Sequence, residues 1–175
     1  MLSSLPASAR PRRRPASASE RPSRMSALAE ETVVVRVPRA RIWDAFADAG
    51  TLSKVLPGCE TLTATGDGAF KGVLATKLQF LTLRADVIAT LVDRQPPDRL
   101  RLELDGKPRG LAGGFRAAIP IELAEQADGT QIHYTVDLTT SGRLATFGAP
   151  ILRDSFRKQV ATLIDNLERV LGPAA

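Results

Sequence analysis

The end of the chain decides the fold: residues 144–171 read LATFGAPILRDSFRKQVATLIDNLERVL. Apolar residues recur there every three to four positions, which is the spacing of one face of an α-helix. They are Leu144, Phe147, Ile151, Leu152, Phe156, Val160, Leu163, Ile164, Leu167 and Leu171. Burial stabilises each large side chain by roughly 1.5–3 kcal/mol, so we expect this helix to dock on the rest of the domain. Gly148 and Pro150 predict a kink or a broken first turn near its start.

The sequence before this helix predicts about seven strands, because apolar and polar residues alternate along it. The clearest strand covers residues 79–92. The others are predicted over residues 32–37, 60–65, 69–78, 99–105, 115–123 and 131–138. Asp67-Gly68 and Asp128-Gly129 supply turns between neighbouring strands. Pro120 favours a sheet edge or a bulge in the sixth strand, because proline cannot donate a ladder hydrogen bond.

Two short helices are predicted between the first two strands. Apolar residues at helical spacing mark the first helix: Ile42, Trp43, Phe46 and Ala49. We expect Gly50 to end it and Thr51 to cap a second helix over residues 52–56. The second helix should stop at Pro57-Gly58.

A single antiparallel sheet must curl around one late helix if it is to cover the apolar face of that helix. Such a wrap leaves space between helix and sheet, so we predict a binding cavity and not a catalytic cluster. The predicted wall consists of inward-facing residues of the strands and the helix. They are Leu74, Leu83, Leu102, Phe115, Tyr134, Phe147 and Ile151.

The positive charge of the chain is concentrated at its N-terminus. Residues 1–24 hold six arginines and one glutamate, which equals the whole-chain net charge of +5. The remaining residues sum to zero, so we predict no nucleic-acid partner. Residues 1–28 are predicted to be a disordered basic tail and residues 29–172 a folded domain. Three interpretations of the tail remain: no function, attraction to anionic lipid, or a cleaved transit peptide.

Few residues could carry chemistry. The single cysteine, Cys59, excludes an internal disulfide, and the single histidine, His133, is predicted on the solvent face. Acidic residues fall singly on polar faces, so neither a metal site nor a catalytic residue is predicted. The glycine-rich residues 106–114 lack the Gly-Lys-Ser/Thr of a phosphate loop and predict a flexible hairpin tip or lid. No stretch approaches the ~20 apolar residues that span a bilayer.

The order of elements, the Ile42-Trp43 step and the segment VLPGCE over residues 55–60 resemble the CoxG family of carbon monoxide dehydrogenase subunits. The likeness continues in Gly129-Thr130, Tyr134, Asp137 and residues 142–148, and it covers roughly residues 30–171. Within that segment, Pro57, Gly58, Cys59 and Glu60 form the family's motif turn.

The family belongs to the START-like (Bet v 1, SRPBCC) superfamily. The resemblance therefore implies an α+β helix-grip fold. In that fold a curved antiparallel sheet of about seven strands wraps a long C-terminal helix, and two short helices follow strand 1.

The resemblance also implies a function. Such proteins are non-enzymatic accessory proteins of molybdenum hydroxylases of the carbon monoxide dehydrogenase type. They need no cofactor of their own, hold a hydrophobic ligand such as a quinone or lipid, and help recruit the enzyme to the membrane. A cytoplasmic protein in transient contact with the inner face of the membrane is thus expected. The alternatives are a small enzyme of the polyketide cyclase or aromatase kind, and a protein-binding adaptor without a ligand.

Overall fold

The computed structural model describes residues 27–172, so most of the predicted tail lies outside the described residues. Leu28, the last residue assigned to the tail, is buried, and its backbone N–H donates to the Val136 carbonyl at 2.7 Å. The first strand, β1, spans Ala29–Val35 and starts earlier than predicted. Its inner positions include Glu31, whose charge hid the start of the strand from the apolar pattern.

The chain continues with two helices, α1 (Arg39–Ala47) and α2 (Ala49–Val55). Six strands follow: β2 (Cys59–Gly66), β3 (Ala69–Leu78), β4 (Leu81–Gln95), β5 (Arg99–Pro108), β6 (Phe115–Gln126) and β7 (Gly129–Thr140). A 3₁₀ helix (Gly142–Phe147) and α3 (Ala149–Leu171) complete the described residues. The strands form one antiparallel sheet in the order β1-β7-β6-β5-β4-β3-β2. The predicted α+β architecture is confirmed.

The helix predicted over residues 144–171 is in fact two helices. Gly148 separates them with a φ of 79°, a left-handed value that glycine adopts without steric cost. Pro150 lies in the first turn of α3, where its missing N–H breaks no helical hydrogen bond. The expected broken first turn is therefore a complete break before Ala149.

Asp48 caps α2, so the prediction that Thr51 caps it was wrong. The Asp48 carboxylate accepts hydrogen bonds from the backbone N–H groups of Gly50 (3.1 Å) and Thr51 (3.3 Å) and from the Thr51 hydroxyl. These bonds lower the pKa of Asp48, the hydroxyl of Thr51 contributing most. Because aspartate satisfies two N–H groups at once, the helix starts before Gly50, which lies in its first turn.

Pro120 marks neither an edge nor a bulge, contrary to the prediction. Its strand, β6, lies between β5 and β7. The register with β7 is the same on both sides of Pro120, at Ala118↔Asp137 and Ile121↔Tyr134, but the pairing is interrupted between them. Since proline has no N–H to donate, the sheet accommodates it by giving up local pairing without a shift of register.

The core lies between the concave face of the sheet and the three α-helices. At one end, Val37, Ile42, Val55 and Leu123 pack with Leu167 of α3. At the other end, a group that we call the mouth cluster joins three strands, the β5–β6 connection and the 3₁₀ helix to the start of α3. Its members are Leu78, Leu83, Leu144, Leu111, Phe115, Phe147, Ile151 and Leu152.

Candidate ligand-binding site

The long helix α3 lies across the concave face and comes closest to β1 and β3. These strands lie near opposite edges of the sheet, so α3 spans the hollow and the middle strands β4–β6 lie beneath it. Of the apolar residues of α3, only Leu167 is fully buried, whereas Phe156 and Val160 are half-buried. The helix is therefore held across the sheet without its apolar face being fully covered.

On the β1 side, charged and polar groups fix α3. The Tyr134 hydroxyl donates to Glu31 Oε2 at 2.8 Å, and Arg157 Nε lies 3.2 Å from Glu31 Oε1. Arg153 Nε donates to the Leu28 carbonyl at 2.8 Å. Burial raises the pKa of Tyr134, and the hydrogen bond to Glu31 and the charge of Glu31 add to the effect. Tyr134 thus stays protonated and serves as a hydrogen-bond donor.

On the β3 side, uncharged polar residues do the same. Ser155 Oγ donates to the Lys77 carbonyl at 3.1 Å, and the Gln159 amide donates to the Thr76 hydroxyl. Nearer the end of the helix, Asn166 Nδ2 donates to the Val55 carbonyl at 3.0 Å. These hydrogen bonds fix the position of α3 relative to β3 and α2.

Small side chains line the middle of the concave face. Ala85, Val87 and Ala89 follow one another on the inward face of β4, and Val87 lies between Gly72 of β3 and Gly106 of β5. The Phe115 ring covers Gly106, where an added methyl group would lie 2.1 Å from it. Around these positions three leucines keep part of their surface exposed: Leu74, Leu102 and Leu104. The part of the sheet beneath α3, which we call the floor, is therefore lined in its middle by short apolar side chains.

The structure places the predicted wall residues in three groups. Leu83, Phe115, Phe147 and Ile151 meet in the mouth cluster. Leu102 and Tyr134 pack around Val136, where the Tyr134 ring meets Phe156 edge-on at a centroid distance of 6.1 Å. Leu74 lies beside Ala85 on the floor. The polar residues that hold α3 in place were not predicted: Glu31, Thr76, Arg153, Ser155, Arg157, Gln159 and Asn166. Ser155, Gln159 and Asn166 recur at helical spacing, which was the available signal.

The motif turn connects α2 to β2 and is hydrogen-bonded to β3. Gly58 has a φ of 67°, and its carbonyl accepts a hydrogen bond from the Ala75 N–H at 2.8 Å. Glu60 forms an ion pair with Arg84 at 2.7 Å. Cys59 is half-buried, and desolvation raises the pKa of its thiol. A raised pKa disfavours the thiolate, which is the nucleophilic form of cysteine.

The other features that could form a site do not lie between α3 and the sheet. His133 lies on the outer face, with Nδ1 2.9 Å from the Thr32 hydroxyl. Within residues 27–172, no three histidine, cysteine or acidic side chains converge as they would around a metal ion. Two clefts of about 370 and 380 Å³ open on the surface, one at the ends of β5–β7 and one around Arg39 and Asp98. Residues of α3 line neither cleft.

Among the helices of the described part of the chain, none combines the length and apolar character needed to cross a bilayer.

Comparisons with solved structures show the fold. A conserved protein from Geobacillus kaustophilus is 22% identical with a TM-score of 0.71, and the match covers 79% of this chain and 90% of that one. A START superfamily protein from Mycobacterium smegmatis is 11% identical with a TM-score of 0.60, covering 81% and 95%. The di-domain ARO/CYC BexL of the BE-7585A biosynthetic pathway is 14% identical with a TM-score of 0.56, covering 84% and 50%. The predicted START-like, Bet v 1 type of fold is confirmed.

Sequence comparisons add the family. No curated protein was found to match the chain. The model of the CoxG family, which describes a carbon monoxide dehydrogenase subunit, matches residues 32–172. That range includes the motif turn, the whole floor and α3. The chain belongs to the CoxG family of carbon monoxide dehydrogenase subunits.

Proposed function

We propose that this protein is a non-enzymatic accessory protein of a molybdenum hydroxylase of the carbon monoxide dehydrogenase type. It holds a hydrophobic ligand, such as a quinone or lipid, between α3 and the sheet and helps to recruit the enzyme to the membrane. Family membership supports the partner. The observation that supports the ligand is the apolar concave face beneath α3, on which Leu74, Leu102 and Leu104 keep part of their surface exposed.

The chemistry of the floor suits an apolar guest. Alanine, valine and leucine side chains offer contact area but no charge, and Leu74 and Leu102 still have exposed surface to cover. Burying roughly 300 Å² of ligand surface there would contribute about 7 kcal/mol before the costs of association. Gln159 and Thr76 supply the hydrogen-bond donors of the β3 side, which a quinone carbonyl could use.

A pair of tryptophan substitutions on one strand tests the ligand site. Leu74→Trp enlarges a side chain on the inner face of β3, and Val73→Trp does the same on the outer face. With decylubiquinone as the probe, native mass spectrometry and titration should show binding by the wild type and the Val73 variant. The Leu74 variant should bind at least about tenfold more weakly. Absence of quinone or co-purified lipid in the wild type would refute the ligand.

The same variant separates a carrier from an adaptor. Pull-down of a molybdenum hydroxylase by the wild type is expected under both hypotheses. If Leu74→Trp keeps the enzyme bound but no longer supports electron transfer from it to a quinone pool, the ligand is part of the function. If the variant supports that transfer as well as the wild type does, the adaptor hypothesis is the better one.

An enzyme of the ARO/CYC kind is the second candidate, and one observation favours it. Tyr134, Glu31 and Arg157 form a polar group on the concave side of the sheet. The Tyr134 hydroxyl, however, is bound to Glu31 and its raised pKa makes it a weak acid. Turnover of a polyketone that is abolished by Tyr134→Phe would establish this candidate.

A further inference from the structure

Three chain segments meet at the end of the molecule that carries the mouth cluster. They are the β3–β4 hairpin (residues 76–84), the β5–β6 connection (107–116) and residues 139–153 around the 3₁₀ helix. Backbone hydrogen bonds link them: the Arg109 N–H donates to the Arg84 carbonyl, and the Arg143 N–H to the Ala112 carbonyl, at 2.7 and 2.9 Å. We call these three segments the docking end.

The docking end contains basic residues and no acidic ones. Its seven basic residues are Lys77, Arg84, Lys107, Arg109, Arg116, Arg143 and Arg153. Within the described residues, Lys77, Lys107 and Arg143 form no ion pair. Arg84, Arg109 and Arg116 are paired with Glu60, Asp86 and Asp105, which border the three segments, so the seven cations still exceed these carboxylates by four. An excess of cations on one end attracts anionic surfaces.

An apolar tip projects from the same end. Phe80 is fully exposed at the turn between β3 and β4, and the adjacent Leu81 is 43% exposed. The base of the hairpin is rigid, because Leu78 and Leu83 are buried in the mouth cluster. A large aromatic side chain fully in water has lost the burial that normally stabilises it. The position of Phe80 at the tip of a fixed hairpin favours contact with an apolar surface outside the protein.

We propose that the docking end binds an anionic lipid membrane, with Phe80 and Leu81 inserted at the boundary between headgroups and acyl chains. Cations around an inserted apolar tip are the arrangement that such a surface favours. Nucleic acid would use the cations but not the aliphatic part of the tip. This inference rests on the proposed function in one respect: the mouth cluster at this end would give a hydrophobic ligand a path from lipid into the space beneath α3.

Flotation of the full chain with vesicles tests the proposal. The wild type should bind vesicles of phosphatidylcholine mixed with phosphatidylglycerol far more strongly than vesicles of phosphatidylcholine alone, and added salt should weaken the binding. Phe80→Ser should weaken binding about tenfold, and Lys107→Ala about fivefold. Ile88→Ser is the matched control, since Ile88 is 55% exposed on the outer face of β4, away from the tip. It should bind like the wild type.

The outcomes separate this proposal from others. Equal flotation of the Phe80, Lys107 and wild-type proteins would refute it and would assign any binding to the basic N-terminal residues, which every variant retains. Binding to a DNA duplex that Lys107→Ala weakens and Phe80→Ser does not, without flotation, would favour nucleic acid and refute it. Decylubiquinone bound in solution by the Phe80 variant, with slower uptake from vesicles, would support both proposals. Flotation of a wild-type protein that binds no quinone or lipid in solution would support membrane binding by the docking end and refute the proposed ligand.

Discussion

Gly58 shows how one residue can determine the path of the chain from α2 into β2. Its φ of 67° is left-handed, and a methyl group in place of its hydrogen would lie 1.9 Å from the Ala75 carbonyl oxygen. Only glycine tolerates both this φ and this close contact. The close approach lets the Gly58 carbonyl, in the turn after α2, accept a hydrogen bond from β3. Backbone geometry thus explains the glycine of the family motif.

Gly58→Ala should destabilise the protein by more than about 3 kcal/mol, because the backbone of β3 cannot move away. Gly110→Ala is the control: its φ is 73°, but no atom lies within 4 Å of the added methyl group. That variant should lose only about 1 kcal/mol. Urea denaturation of both variants measures the difference, and equal losses would show that the turn itself and not the contact with Ala75 is decisive.

Tyr134 is the only tyrosine of the chain, so its ionisation can be followed directly by ultraviolet absorbance. We expect it to remain protonated in the folded protein well above the ordinary tyrosine pKa of 10.0, because burial and Glu31 oppose the anion. In the unfolded state it ionises near pH 10, so the unfolded chain then binds fewer protons. The stability that Tyr134 contributes should therefore be complete below about pH 10 and decline above it.

Two variants check this assignment. Tyr134→Phe should show a shallower loss of unfolding free energy above about pH 10 than the wild type. Glu31→Gln should lower the pKa of Tyr134 only part of the way, since burial is the larger cause. A wild-type tyrosine that titrates in the folded state as it does in urea would contradict the structure.

At the scale of elements, α3 makes two kinds of contact through different sides of the helix. Its apolar residues face the concave surface, and its polar residues bond to β1 on one side and to β3 and α2 on the other. Asn166 belongs to the second set and satisfies the Val55 carbonyl at the C-terminal end of α2. Hydrogen bonds on both sides thus fix the position of α3, and its apolar residues pack on the core.

Asn166→Ala should cost about 1–2 kcal/mol, because it removes the exposed hydrogen bond from Arg169 and leaves the half-buried Val55 carbonyl without its partner. Thr162→Ala is the matched control on the same helix. Its hydroxyl bonds only to the Lys158 carbonyl of α3, and the residue is exposed. Thermal unfolding should show a change within about 0.5 kcal/mol for the control. Similar losses in both variants would mean that the link to α2 contributes nothing.

At the scale of the whole molecule, the proposed guest would cover apolar residues of the concave face that are half-exposed, such as Leu74 and Leu102. The native state therefore has apolar surface to gain from a guest, and a guest that binds only the folded state stabilises it by mass action. Stability and function are coupled in such a fold, because the same contacts serve both.

Decylubiquinone at about a hundred times its dissociation constant should stabilise the wild type by about 2.7 kcal/mol, which raises the melting temperature by about 5–10 °C. Leu74→Trp should be as stable as the wild type without the quinone, or more so, and should gain little from it. Scanning calorimetry measures both. An equal gain in the two proteins would place the quinone outside the space beneath α3.

Much of the fold could be predicted because its signals are local. Alternation gave β3 with both ends correct, and the helical spacing of apolar residues gave the end of α3 at Leu171 but placed its start in the preceding 3₁₀ helix. The errors also have local causes: an aspartate cap replaced the expected Thr51, and a proline in β6 interrupted one ladder without a bulge. Each error arose where a single side chain had two feasible roles.

The sequence by itself determined the kinds of elements, their order and the family, because periodicity and the motif turn are read along the chain. Only the tertiary structure decided how α3 is fixed across the sheet and where charge accumulates. Tyr134 meets Glu31 across β7 and β1, and the three acid-free segments meet only when five strands, the 3₁₀ helix and α3 come together. Such juxtapositions depend on which strands pair, which local spacing cannot specify.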